Sequence, residues 1–331
     1  STHTYLREGR AIHRLVSLVD PIEDLIAEND RRVMLGAESE EDAESIPSSN
    51  DEQRTYRSYK KLTRWCPSIG KLVNSDLDGH EMTLALRQAS LLKSGADGAR
   101  GDDASSLKGS VATWVNEQCP NPDLVINTLE KHGRGFNNDA TGRLLCPVDY
   151  NWEDTLVHAA IREYHPDFSV TGYSWPMFLY PKGHYDPGHP SKGLFKGELL
   201  LRAFRCIFTS PSSALAELEA DNDNDNPRPS GVPKKSRSKR TRCDVASLLK
   251  MKSVRFALSS CRSWDVKDED FDHELFYHFI VDYFELPASR EKAVEVDSLL
   301  LWWNRKVFGR RHASSYRPQQ IEKLSVALSK Q

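Results

Sequence analysis

Apolar positions recur along most of this chain at the spacing of one helix face. Ile12, Leu15, Val16, Val19, Ile22, Leu25 and Ile26 form the first such stripe, with Pro21 either kinking one helix or starting a second. Tyr56, Tyr59, Leu62 and Trp65 fall every third residue in a helix that begins after Asp51 and stops at Pro67. Two further helices are predicted at Glu81–Leu92 and Asp102–Gln118, the second capped by Asp102 or Asp103. Lys192–Phe208 carries a strong stripe through Leu194, Leu199, Leu200, Phe204 and Phe208, and Ser210-Pro211 restarts a helix toward Ala220. Helical periodicity returns at Val245–Met251, Phe271–Phe284 and Ser289–Phe308, and the spacing allows a last short helix at Gln320–Leu328. No segment repeats and none keeps up the alternation of a strand, so the pattern predicts a mostly α protein.

Polar stretches divide these helices. Glu38–Glu44 is acidic and leads into Pro47-Ser48-Ser49-Asn50, a composition that reads as a flexible connection. Between Pro120 and Pro190 the chain is rich in Gly, Pro, Asn and aromatics, and Glu153–Glu163 is its one clear helix. Gly133-Arg134-Gly135-Phe136, Thr141-Gly142-Arg143 and Tyr180-Pro181-Lys182-Gly183 read there as turns, and Trp152, Phe168, Trp175 and Phe178 as buried aromatics. Glu217–Asp225 is acidic, whereas Arg228–Arg242 holds seven Lys or Arg and no acid. The expected architecture is an irregular multi-helix globular domain with a loop-rich middle layer and a disordered insertion. Residues 1–37 form an amphipathic segment, 38–50 an acidic linker, and 51–216 a helical domain whose part 120–190 is loop-rich. Residues 217–243 form the acidic-then-basic linker, 244–309 helices packing on the same core, and 310–331 a tail.

Composition narrows the function classes. Of 331 residues, 38% are hydrophobic and 28% charged, and 45 Lys and Arg against 48 Asp and Glu leave a net charge of -3. Binding to nucleic acid or acidic lipid by bulk charge is thereby excluded, and any such contact must be local. The longest apolar run, Leu299–Trp303, falls far short of the ~20 residues of a membrane span. Cys66, Cys119, Cys146, Cys206, Cys243 and Cys261 stand singly, as free thiols do in a reducing compartment. Ser1–Arg10 has no apolar signal core, and the missing initiator Met leaves a removed leader open.

Six motifs occur in order: Arg64-Trp65-Cys66-Pro67-Ser68, Ala99-Arg100-Gly101-Asp102-Asp103, Thr141-Gly142-Arg143-Leu144-Leu145-Cys146-Pro147, Ile207-Phe208-Thr209-Ser210-Pro211-Ser212-Ser213, Arg255-Phe256-Ala257-Leu258-Ser259-Ser260, and Leu301-Trp302-Trp303-Asn304-Arg305-Lys306-Val307-Phe308. As a set, over roughly residues 55 to 309, they resemble a domain family of unknown function expanded in mushroom-forming (basidiomycete) fungi. The resemblance implies a fungal, intracellular protein and no particular activity. One departure stands out, because family members carry an additional apolar helical stretch between the positions of Met251-Lys252-Ser253-Val254 and Arg255-Phe256-Ala257. Here the two motifs abut at Val254 and Arg255, and a missing helix would leave a gap to close or apolar surface to expose.

Candidate chemistry is sparse. His184-Tyr185-Asp186 has the His-x-Asp spacing of an iron and 2-oxoglutarate dioxygenase, with His278 as third ligand and Arg290 as co-substrate anchor. Against this, such chemistry belongs to a β-helical barrel, His278 lies in a helical run, and His184-Tyr185-Asp186-Pro187-Gly188 reads better as a turn. His158, His165, His184 and His189 match no zinc spacing, and the glycines of 133–142 lack a phosphate-loop ending. Lys234, Lys235, Arg237, Lys239, Arg240 and Arg242 form a dense cationic cluster suited to a nuclear import receptor or to phosphate contact, the plain alternative being a solvated linker. Leu299, Leu300, Trp302, Trp303 and Phe308 read as core rather than as a partner face.

The leading expectation is therefore an intracellular, nuclear, non-enzymatic helical protein-interaction module, without cofactor, membrane association or catalytic residues, whose protein partner the residues do not identify. The alternatives are an iron/2-oxoglutarate dioxygenase using His184, Asp186 and His278, and a nucleic-acid-associated protein acting weakly and non-specifically through 228–242.

Overall fold

The structure, a computed structural model, describes residues 2–12, 16–17, 20–69, 79–209, 211–214, 251–262 and 267–308. It is predominantly helical. Helix α1 (Thr2–Ala11) ends where the amino-terminal stripe begins, and the end of the stripe lies in α2 (Ile22–Met34), with Pro21 as the residue before it, so the proline starts a helix; Leu15 and Val19 lie outside the described residues. Leu25 buries fully on the inner face of α2. The stretch 38–50 differs from the flexible connection expected of it. Ser39 and Asp42 form a reciprocal capping box that starts α3 (Glu40–Ser45), and Ser49 and Glu52 form a second one that starts α4 (Asn50–Trp65). The acids there satisfy orphan amides of the helix starts, and Glu40 and Glu44 pair with Lys60 of α4. Arg32 ties the three helices together. Fully buried, it donates to Glu28 at 2.6 Å, to the Ala43 carbonyl and to the Glu52 carbonyl, and its guanidinium lies 4.2 Å from the centre of the Tyr56 ring.

A single 39-residue helix, α5 (Gly79–Glu117), replaces the two helices expected at 81–92 and 102–118. It is about 58 Å long at 1.5 Å per residue. Asp102 caps nothing; it accepts from Arg10 of α1 at 2.7 Å. Glycines let α5 and α1 cross with their backbones touching. A Cβ on Gly95 would sit 2.4 Å from the Leu6 carbonyl oxygen, and one on Gly9 would sit 2.1 Å from that of Leu92. Because α5 is so long, it serves two cores. Leu92 and Ala96 join Ile12, Val16, Leu25, Leu62, Cys66 and Ile69 in a small amino-terminal cluster. Leu107, Val111, Ala112, Trp114 and Val115 belong to the main one.

The middle of the chain is loop-rich, with one helix more than its texture announced. Asn138 accepts from the amides of Ala140 and Thr141 and starts α6 (Asp139–Leu145), so Thr141-Gly142-Arg143 is helix rather than turn. Gly142 is there because the Trp152 ring packs on it: a Cβ would lie 2.3 Å from the indole. Helix α7 (Thr155–Arg162) follows the Asp154 cap. Trp152 and Phe178 are buried, while Phe168 and Trp175 pack against the core partly covered. Turns continue through residue 197, so α8 (Glu198–Phe208) starts later than the apolar stripe suggested, and α9 (Pro211–Ala214) begins at the expected proline.

Helix α10 (Met251–Leu258) runs without interruption through Val254 and Arg255, both buried, so the abutting motifs form one helix. A hairpin of β1 (Lys267–Asp268) and β2 (Phe271–Asp272) follows, paired Lys267 with Asp272 and Asp268 with Phe271. It leads through the Asp272 cap into α11 (His273–Glu285) and then α12 (Arg290–Phe308). Leu299, Leu300 and Trp303 are buried in the main core. The amino-terminal unit rests on α11 through charge. Arg54 meets Asp282 at 2.7 Å, Arg57 meets Glu285 at 2.9 Å, and Lys61 also reaches Glu285. The acidic-then-basic linker 217–243, the helix expected toward Ala220, residues 245–250 and the tail with 320–328 lie outside the described residues.

Candidate functional site

Polar residues concentrate where they are costly, around α10. Lys252, Ser253, Arg255 and Ser259 are all buried, and so are Lys131, Arg134 and His273 beside them. The uses of the cations differ. Arg134 directs its Nε, Nη1 and Nη2 groups to the carbonyl oxygens of Glu130, Lys108, Ala257, Asn127 and Thr128, at 2.7 to 3.2 Å. It is a clamp that holds the 127–135 turn against α5 and α10. Lys131 donates to the Cys261 carbonyl and stands 3.3 Å from the centre of the Phe256 ring, and burial pushes its pKa down to about 8.

Arg255 is different. Its guanidinium lies 3.3 Å from the centre of the Phe271 ring, yet Nε and Nη1 are buried with no hydrogen-bond partner among the described residues. Burial pulls its pKa down to about 10, opposed by the charges of Asp268 and Glu269. Arg255 lines a cavity of about 60 Å³ with Ser259, Ser260, Asp268, Glu269 and Asp270. At the mouth, the Tyr164 hydroxyl donates to Glu269, and both residues have positive φ, 56° and 58°. Glu269 opens the two-residue turn between β1 and β2, a position that favours glycine. His273 sits beneath, its Nε2 3.9 Å from Asp268. Burial, reinforced by Arg255, Lys252 and Lys131, pushes its pKa down to about 2, so the ring is neutral.

A second concavity, a groove of about 610 Å³, is lined by Leu124, Leu144, Tyr150, Trp152, Tyr180 and Tyr185 among others. It opens between the end of α5, α6 and the 177–185 turns.

The residues singled out by sequence pattern lie elsewhere. His184 is exposed. Asp186 accepts from the Gly188 amide at 2.9 Å and pairs with His189 Nδ1 at 3.0 Å, bonds that hold its carboxyl below the usual range. His278 sits on α11, where burial and the nearby Arg54 lower its pKa. His184, Asp186 and His278 are thus not assembled, and no group of three His, Cys, Asp or Glu among the described residues could hold a metal ion. Lys234, Lys235, Arg237, Lys239, Arg240 and Arg242 lie outside the described residues. No helix among the described residues is long and apolar enough to cross a membrane. Arg255 carried no signal in the sequence beyond a single charge inside Val254-Arg255-Phe256-Ala257.

Residues 94–308 match a family described only as a family of unknown function, DUF6698. No curated protein and no solved structure matches the chain. The matched span holds most of α5, the main core, the groove and the Arg255 cavity, and leaves out α1 to α4.

Proposed function

Because the chain belongs to this family of unknown function, its role has to be read from its own residues, and we propose that it is a helical protein-interaction module of the fungal nucleus, acting by binding rather than catalysis. The fungal setting is taken from the motif resemblance. The observation that carries the reading is the cationic run Lys234, Lys235, Arg237, Lys239, Arg240 and Arg242, which falls in sequence between Ala214 and Val254, two residues of the main core. A dense run of like charges with no acid among them is the pattern a receptor for basic segments reads. The aromatic groove supports the binding part, since a concave surface of tyrosine, tryptophan and leucine suits the apolar face of a partner.

The test is a fluorescent fusion of the full chain. Replacing the six cations by alanine is expected to abolish nuclear accumulation; an unchanged distribution, or a wild-type fusion excluded from the nucleus, overturns the nuclear reading. Leu144→Arg, in the groove wall, is expected to remove partners that wild type retains in crosslinked capture, and an identical set of partners sinks the interaction reading. The same cations favour a second reading, non-specific contact with nucleic acid phosphate. It predicts duplex DNA binding that weakens steeply with salt and is lost with the six cations.

A further inference from the structure

We propose that the cavity beside α10 is a binding site for a small free carboxylate, with the Arg255 guanidinium as its anchor. The inference is independent of the nuclear reading. Buried guanidinium donors without partners are rare, because the hydration lost on burial is not replaced. Arg134, a few residues of packing away, shows how this same chain treats an arginine used only for structure: Nε and both Nη groups donate to carbonyls. Arg255 is 2% exposed and as deeply set, but its Nε and Nη1 have no such acceptor among the described residues, and it lines a cavity.

Size and charge select the ligand. About 60 Å³ holds roughly two waters, the room of a carboxylate and the carbon that bears it. A nucleotide or sugar phosphate does not fit. The Phe271 ring packs on the guanidinium, its centre 3.3 Å away, and the in-plane N–H groups of a guanidinium match the planar fork of a carboxylate. Asp268, Glu269 and Asp270 around the mouth repel a dianion more strongly than a monoanion, so inorganic phosphate is disfavoured. Ser259 already donates its hydroxyl to the Phe256 carbonyl, which leaves its oxygen as an acceptor toward any donor group on the ligand. The Tyr164–Glu269 pair, with both backbones in the left-handed region, holds the mouth in a conformation that L-residues adopt at a cost.

The test follows the Arg255 Nε–H signal of the ¹⁵N-labelled full chain by NMR, titrated with sodium acetate, sodium glycinate, sodium phosphate or sodium chloride at equal ionic strength and pH 7. Acetate is expected to shift that signal saturably, whereas phosphate and chloride leave it in place. Glycinate equal to or tighter than acetate identifies an amino acid as the source, and acetate alone identifies a simple acid; either supports the site. An Arg255 signal indifferent to acetate, or one that moves equally with chloride, overturns the proposal and leaves water as the occupant. Arg255→Lys, which keeps the charge and loses the fork, is expected to weaken acetate at least tenfold; unchanged affinity also overturns it. If that variant does not fold, the wild-type titrations decide alone.

Discussion

At the scale of single residues, burial decides what a charge can do. Arg134 and Arg255 are both buried arginines, and only packing separates the clamp from the guanidinium whose Nε and Nη1 have no partner among the described residues. Arg134→Met is expected to lower unfolding free energy by at least about 3 kcal/mol in denaturant titrations, since each buried acceptor left without a partner costs about 1 to 3 kcal/mol. A loss below about 1 kcal/mol would mean that water replaces the guanidinium. His273 governs a pH dependence. Its folded-state pKa lies far below the ordinary 6.5, so the unfolded chain takes up a proton that the folded chain refuses. Stability is therefore whole above pH 6.5 and falls as the pH drops below it, by up to about 1.4 kcal/mol per pH unit. His278, lowered as well, acts in the same direction. Between pH 7 and 5, His273→Phe is expected to flatten this slope in denaturation midpoints, and an unaltered slope would locate the dependence elsewhere. Glu28 adds its own loss at lower pH: burial opposes its ionisation, but hydrogen bonds from Arg31 and Arg32 outweigh that and hold its pKa below 4.5.

At the scale of elements, glycines and capping residues carried opposite messages in the sequence and in space. Gly95, Gly98 and Gly101 fall between the two helices expected at 81–92 and 102–118, and α5 passes through all three. Gly95 is required by the crossing with α1, whereas Gly98 is exposed and a Cβ there meets nothing. The two are expected to respond oppositely to alanine. Gly98→Ala should stabilise by about 0.5 to 1 kcal/mol through helix propensity. Gly95→Ala should destabilise, because overpacking typically costs about 1 to 3 kcal/mol and exceeds that gain. Thermal unfolding of the two variants checks the pair, and equal signs would refute the close crossing. The 38–50 stretch shows the reverse case. Its acidic, Ser- and Pro-containing composition reads as a flexible connection, whereas the Ser39/Asp42 and Ser49/Glu52 pairs form capping boxes that start two helices. Gly142 within α6 was illegible in principle, since its reason is the Trp152 ring ten residues away.

At the scale of the whole molecule, the chain has two cores on one long helix, and the family match covers the second. Apart from α5, Arg54, Arg57 and Lys61 join the first to the second through Asp282 and Glu285 of α11. Since partly buried pairs still feel salt, the double variant Asp282→Asn, Glu285→Gln, or high salt with wild type, should raise hydrogen exchange in α2 to α4 while α8 and α11 keep their protection. Unaltered exchange in α2 to α4 would mean that the α1–α5 crossing holds the unit by itself. The sequence by itself determined the helical class, the boundaries of α4 and α12, the end of α11 and the core role of Trp303, because helical periodicity and capping are local and survive as patterns in one dimension; the start of α11 was missed, since Phe271 and Asp272 belong to β2. The tertiary structure decided that α5 is one helix, that Gly95 and Gly142 are contact points, that His184, Asp186 and His278 stay apart, and that Arg255 faces a cavity. Each of these depends on what lies across from a residue in space, and a charge on a helix face looks the same in sequence whether water or protein covers it.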